Sequence, residues 1–168
     1  MEFLELARAR HSTRGFSGTP VEPGKLEKIL EAARLAPSAH NYQAYKLLVV
    51  QSEEGLAKIA KAGNIHGAPA AIIVFEDSSR AWTNPYNNRQ LVSHDSVIAT
   101  DHMMLEATDL GLDSLWVCWF DPAVIKAEFD APENLEPINI LALGYSSRGG
   151  APPKQRKELG ELVSYEKL

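Results

Sequence analysis

Apolar positions recur along the chain in two rhythms, one helical and one of short buried strands. Phe3, Leu6 and Ala7 keep helical spacing and predict a first helix from Glu2 to Arg10. A loop over Gly15 to Pro20 follows. Pro23 suits the first turn of a second helix, and Leu26, Ile29, Leu30 and Ala33 give it an apolar face. That helix must stop by Ala36, because Pro37 disfavours helical geometry in the residue before it. Strands are expected over Lys46 to Gln51, Ala70 to Glu76, Ser114 to Trp119 and Pro137 to Leu143, with helices over Glu53 to Ala62 and Pro122 to Phe129.

The longest helix is predicted from Asp95 to Leu110, stopped by Gly111. Val97, Ile98, Met104, Leu105 and Ala107 populate more than one of its faces, so it should be buried in the core or against another subunit. His94 is placed just before it. His94, His102 and Glu106 read as solvated or interface polar residues, and no metal site is expected. Residues 77–93 lack periodicity and read as a loop over a site or an irregular excursion. After Ala151 the chain begins Pro152-Pro153 and reads as an extended arm. With no internal repeat and no second core, residues 1–168 are expected to form one α+β domain.

Composition narrows the class. The 168 residues are 45% hydrophobic and 23% charged, the proportions of an ordered chain with a sizeable core. Apolar runs such as Ala68 to Phe75 are far shorter than the roughly 20 residues that span a bilayer. Acids occupy the opening residues where a signal peptide carries basic ones, so a cytoplasmic location away from membranes is expected. A net charge of −5 argues against general affinity for nucleic acid. The single cysteine, Cys118, excludes an internal disulfide; its apolar neighbours Leu115, Trp116 and Val117 predict a buried structural thiol.

Basic residues are unevenly spread within this acidic chain. Leu6 to Val21 holds Arg8, Arg10, His11 and Arg14 without one acid, and Gly144 to Lys157 holds Arg148, Lys154, Arg156 and Lys157 without one acid. Both islands can be solvated patches, or the fold can join them into one anion site. Arg10 and Arg14 offer planar donor forks with the Ser12 hydroxyl between them, a chemically sensible grip on a small-molecule phosphate. Between the second helix and the first strand, Ser38, Asn41 and Gln43 are neutral donors and acceptors. They suit either a polar turn or the edge of a heterocycle.

Taken in order, these blocks resemble the FMN-dependent nitroreductase family. The resemblance is carried by Arg10-His11-Ser12-Thr13-Arg14, by Pro37-Ser38 with Asn41 and Gln43, and by Met103 to Leu112. It continues through Trp116 to Asp121, Leu141 to Tyr145, and Lys154 with Arg156. It implies a three-layer nitroreductase-like fold: a mixed, mostly antiparallel sheet flanked by helices, with an exchanged C-terminal arm. It also implies a homodimer with FMN at the subunit interface. By that analogy Arg10, Ser12, Lys154 and Arg156 hold the phosphate, His11 belongs to the cofactor-binding set, and Arg14 approaches the ribityl chain or the pyrimidine end of the ring as an electrostatic stabiliser. Pro37, Ser38, Ala39 and Asn41 come from the other subunit, and the backbone of Val117, Cys118 and Trp119 approaches flavin N5. Asn64 and His66 are candidates for the family's central flavin contacts.

The implied activity passes hydride from NAD(P)H through FMN to a small acceptor such as a nitroaromatic, quinone or enone. Flavin carries such chemistry itself, so no side-chain nucleophile is needed. Three departures from the family pattern stand out. Ala44-Tyr45 replaces a usual Pro-Trp pair, Cys118-Trp119 replaces a frequent Glu-Gly, and the central insertion is compressed into residues 77–93. The alternatives are a flavin-storage protein without efficient turnover and a sensor of a phosphate-bearing ligand. The motif Gly144 to Gly150 lacks the Lys-Ser/Thr ending of a P-loop, and no Gly-x-Gly-x-x-Gly fingerprint is present.

Overall fold

A computed structural model describes residues 2–168. Its centre is the apolar run Ala70–Asp77 (β2), which lies between Tyr45–Val50 (β1) and Leu135–Gly144 (β4). Asp113–Val117 (β3) pairs with the far side of β4, giving the order β1-β2-β4-β3. All three pairings are antiparallel. The mixed character expected of the sheet reduces to one isolated parallel bridge, between Ser12 and Ser114.

Side chains alternate across β2 and β4, and both faces are covered. Ile72, Val74, Leu141 and Leu143 turn to one side. There they meet Pro23–Leu35 (α2), through Leu26, Ile29 and Ala33, and His94–Asp109 (α4), through Ala99, Met103 and Ala107. Ile73, Phe75, Ile140 and Ala142 turn to the other side, against Ile59 of Glu53–Ala62 (α3) and Ile125 of Pro122–Glu128 (α5). A fully apolar run is what a strand packed on both faces requires. The result is the three-layer α+β arrangement expected. Phe3–Ala9 (α1) packs against α4 at the edge.

Helix ends agree with the sequence to within a residue or two, with instructive differences. His94 opens α4 rather than preceding it, and Ser93 before it sits at φ 74°. β3 stops at Val117, two residues early, because the chain leaves β4 there. It turns to meet the end of α3 through a Gly63–Phe120 bridge and the Asp121 amide donating to the Ala62 carbonyl at 2.9 Å. A Cβ on Gly63 would lie 2.7 Å from Phe120 Cβ and 3.0 Å from the Trp119 carbonyl, so only glycine permits this approach. The tail carries one further short helix, Leu159–Leu162 (α6), which its composition had not revealed. Among the described residues, no helix is long and apolar enough to cross a membrane.

Candidate functional site

The amino-terminal basic island is laid down beside β3. Arg10 caps α1, its amide donating to the Leu6 carbonyl at 2.9 Å. The chain then extends, and the Thr13 amide donates to the Ser114 carbonyl at 3.0 Å. Thr13 points inward and is buried, so Ser12 and Arg14 on either side of it face outward and are exposed. The half-buried Asp113 pins this segment. Its Oδ1 accepts from the Thr13 hydroxyl at 3.2 Å and lies 3.3 Å from His11 Nε2. Its Oδ2 accepts from the Ser146 amide at 2.7 Å.

The carboxy-terminal island arrives at the same place. Lys154 Nζ donates to the backbone carbonyl of Arg10. Partial burial lowers the proton affinity of the Lys154 amine, and the charges of Arg10 and Arg156 lower it further. The contact of Lys154 with Arg10 brings the two ends of the chain into one neighbourhood. Among the described residues no carboxylate pairs with Arg10, Arg14, Lys154 or Arg156. An uncompensated cluster of two guanidinium groups and an ammonium suits a multiply charged anion such as a phosphate monoester.

Two clefts share Arg14 in their lining, and Arg10, Lys154 and Arg156 line neither of them. The smaller, about 560 Å³, is bounded by His11 to Gly15, Ser146 and Arg148 to Pro152. The larger, about 790 Å³, is bounded by Arg14, Ala62 to Asn64, His66 and Leu115 to Asp121. Gly63 builds its floor by letting α3 close on the turn after β3. Asn64 and His66 therefore stand on the same cleft as Val117, Cys118 and Trp119. The Asn64 side chain accepts from the His66 amide at 2.7 Å, which fixes that turn. Cys118 is exposed, which corrects the expectation of a buried thiol: with β3 ending at Val117, residues 118 and 119 leave the core. Trp119 is 95% exposed.

Pro37, Ser38, Ala39 and Asn41 line neither cleft. Their loop contains a single 3-10 turn, Ala39–Asn41, and has φ of 51°, 57° and 50° at His40, Asn41 and Gln43. Its outer side carries the His40 ring stacked on Trp82, centroids 5.3 Å apart at 17°, which ties residues 77–93 to this loop. Its inner side is held by Asp95, whose two oxygens accept from the amides of Ala39 and Ala44 at 2.9 and 3.3 Å. Neither Asp95 nor Asp113 stands out in the sequence. Asp95 reads there as a helix-opening acid and Asp113 as a residue of a short loop; the only signal of either is an acid bordering an apolar run.

The chain matches the model of the Nitroreductase family over residues 7–63 and 60–145. It therefore belongs to that family, a family of oxidoreductases. It is 31% identical over 168 residues to an Archaeoglobus fulgidus protein provisionally named an NADH dehydrogenase/NAD(P)H nitroreductase, covering 95% of this chain and 90% of the relative. The crystal structure of a nitroreductase family protein from Clostridium difficile superposes with a TM-score of 0.97 at 50% identity, covering all of both chains. An FMN-dependent nitroreductase from another strain of that organism superposes at 0.83 with 25% identity, covering 99% of this chain and 100% of the other.

Proposed function

We propose that this protein is an FMN-dependent NAD(P)H oxidoreductase that reduces a small acceptor of the nitroaromatic, quinone or enone type. The observation carrying this reading is the contact of Lys154 with the Arg10 carbonyl, which joins the two basic islands, together with a cleft of about 790 Å³ that Arg14 borders. The donor set fits FMN: three cations and the Ser12 hydroxyl for the phosphate, with His11 alongside. When bound, FMN supplies the two-electron redox chemistry, accepting hydride from NAD(P)H and delivering it to the acceptor.

The residues of this chain bind and orient. Arg10, Ser12, Lys154 and Arg156 hold the phosphate. Arg14 places positive charge where the ring's pyrimidine end would lie, favouring the reduced anionic form through preorganised electrostatics. Asn64, His66 and the backbone from Val117 to Trp119 border the ring. Pro37, Ser38, Ala39 and Asn41 act on the flavin of a second subunit. The family's resemblance carries this homodimeric arrangement. The exposed apolar side chains of Leu159, Leu162 and Val163, on a tail that would be exchanged between subunits, support it.

An absorption spectrum of the purified protein, followed by anaerobic NAD(P)H titration, tests the reading. A flavin spectrum that bleaches with NAD(P)H and returns with a quinone or nitroaromatic is expected. A flavin spectrum that resists bleaching would identify a storage protein, and a colourless protein without FMN affinity would end the proposal.

A further inference from the structure

We propose that Asp95 is a positioning residue whose buried carboxylate sets the course of the loop from Ser38 to Ala44, and with it the surface that Ser38, Ala39 and Asn41 turn toward the cofactor of a second subunit. The role rests on the proposed function above. Asp95 is 3% exposed in the first turn of α4, and both its oxygens are spent on backbone amides of one distant loop. Those amides, Ala39 and Ala44, bracket the three residues with left-handed backbone, His40, Asn41 and Gln43. Such φ values are unfavourable for residues with a Cβ and persist only where the surroundings over-determine them. The clasp supplies that determination at both ends of the strained stretch.

Glu76 stands behind the clasp. It is fully buried, its Oε2 accepts from the Ser96 amide at 3.3 Å, and its Oε1 has no partner. Burial chiefly, and the Asp95 charge in addition, raise its proton affinity. Asp95 spends both oxygens on the distant loop, whereas Glu76 makes one contact, to an amide of α4, and none to the loop. The two acids are therefore unequal: an amide should replace Glu76 readily and Asp95 badly.

Amide hydrogen exchange and steady-state kinetics on the full chain, with and without FMN, test this. In the wild type, Ala39 and Ala44 should be protected; free exchange at both would overturn the proposal. Asp95→Asn retains one acceptor and sets an NH2 against the other amide. Exchange at Ala39 or Ala44 should then quicken about tenfold or more, as loss of a charge-assisted bond implies, while β2 and β4 amides hold. The acceptor KM should rise with kcat maintained. Asp95→Glu, which keeps the charge but displaces it by a methylene, carries the same expectation should Asp95→Asn fail to fold. Glu76→Gln should leave loop exchange and KM at wild-type values. Unchanged loop exchange in the Asp95 variants, or quickened exchange with an unchanged KM, would refute the role. A wild-type protein that binds no FMN would instead refute the proposed function, and exchange in the apoprotein would still decide whether Asp95 holds the loop.

Discussion

Lys154 donates a hydrogen bond to the backbone carbonyl of Arg10, a residue 144 positions earlier in the chain. Through it the two acid-free basic islands become one surface, with Arg10 and Arg156 depressing the proton affinity of the amine between them. Removing one of these cations should weaken FMN binding selectively through the phosphate. Arg10→Ala and Arg156→Ala should each cost about 1.5–3 kcal/mol, roughly tenfold to a hundredfold in Kd. Fluorescence titration measures this directly, and added salt should weaken binding further. Riboflavin, which has no phosphate, is the control: an equal loss for riboflavin and FMN would show that the cations do not hold the phosphate.

Asp113 organises that surface from beneath, joining His11 and Thr13 to the turn at Ser146. Asp113→Asn keeps one oxygen and sets an amide NH2 against a donor. The variant should lose about 1–3 kcal/mol of stability, since a partly buried donor is left unmatched. FMN affinity should fall with it although Asp113 is itself an acid. Urea unfolding and flavin titration of the same variant check both. A gain in affinity would mean that Asp113 acts only as a repelling charge.

The layers of this fold were legible because their signals are local. The unbroken run Ala70 to Phe75 reads as a strand covered on both faces, and Pro23 and Pro37 bound α2 from both sides. The basic islands were equally visible, but only three-dimensional closure distinguishes a shared anion site from two solvated patches. The misreading of Cys118 has a physical origin. Its apolar neighbours are those of a buried strand, whereas the strand's end is set by Gly63, just after α3, which draws the chain away after Val117. Asp95 and Asp113 were silent for the same reason: each acts on amides or hydroxyls far along the chain, and no spacing reports such contacts.

Gly63 gives a steric test of the larger cleft. The Cβ of Gly63→Ala would stand 2.7 Å from Phe120 Cβ and 3.0 Å from the Trp119 carbonyl. Backbone must move to admit it, pushing the turn that carries Cys118 and Trp119 away from Asn64. Overpacking of this kind costs about 1–3 kcal/mol. The expected result is a lower Tm together with weaker FMN binding and a shifted flavin visible circular dichroism spectrum. A variant with unaltered spectrum and affinity would show that the cleft between residues 63–66 and 117–121 does not border the ring.

Glu76 makes stability depend on pH in an uncommon direction. In the unfolded chain its carboxyl group titrates near the usual value of 4.5; in the folded protein burial holds it above that value. Between the two, the native state keeps a proton that the unfolded state has released. Because the unfolded state binds fewer protons there, this group's contribution falls as pH rises, and below the usual value its stabilising effect is fully present. Glu76→Gln mimics the protonated form and has nothing to titrate. The Tm of the wild type should therefore decline relative to Glu76→Gln as pH is raised above the usual carboxylate value, with the two converging toward lower pH. Parallel Tm curves across that range would show that the buried carboxyl group retains no proton beyond the ordinary carboxylate range. A wild type gaining on the variant with rising pH would give Glu76 the opposite role, that of a stabilising anion.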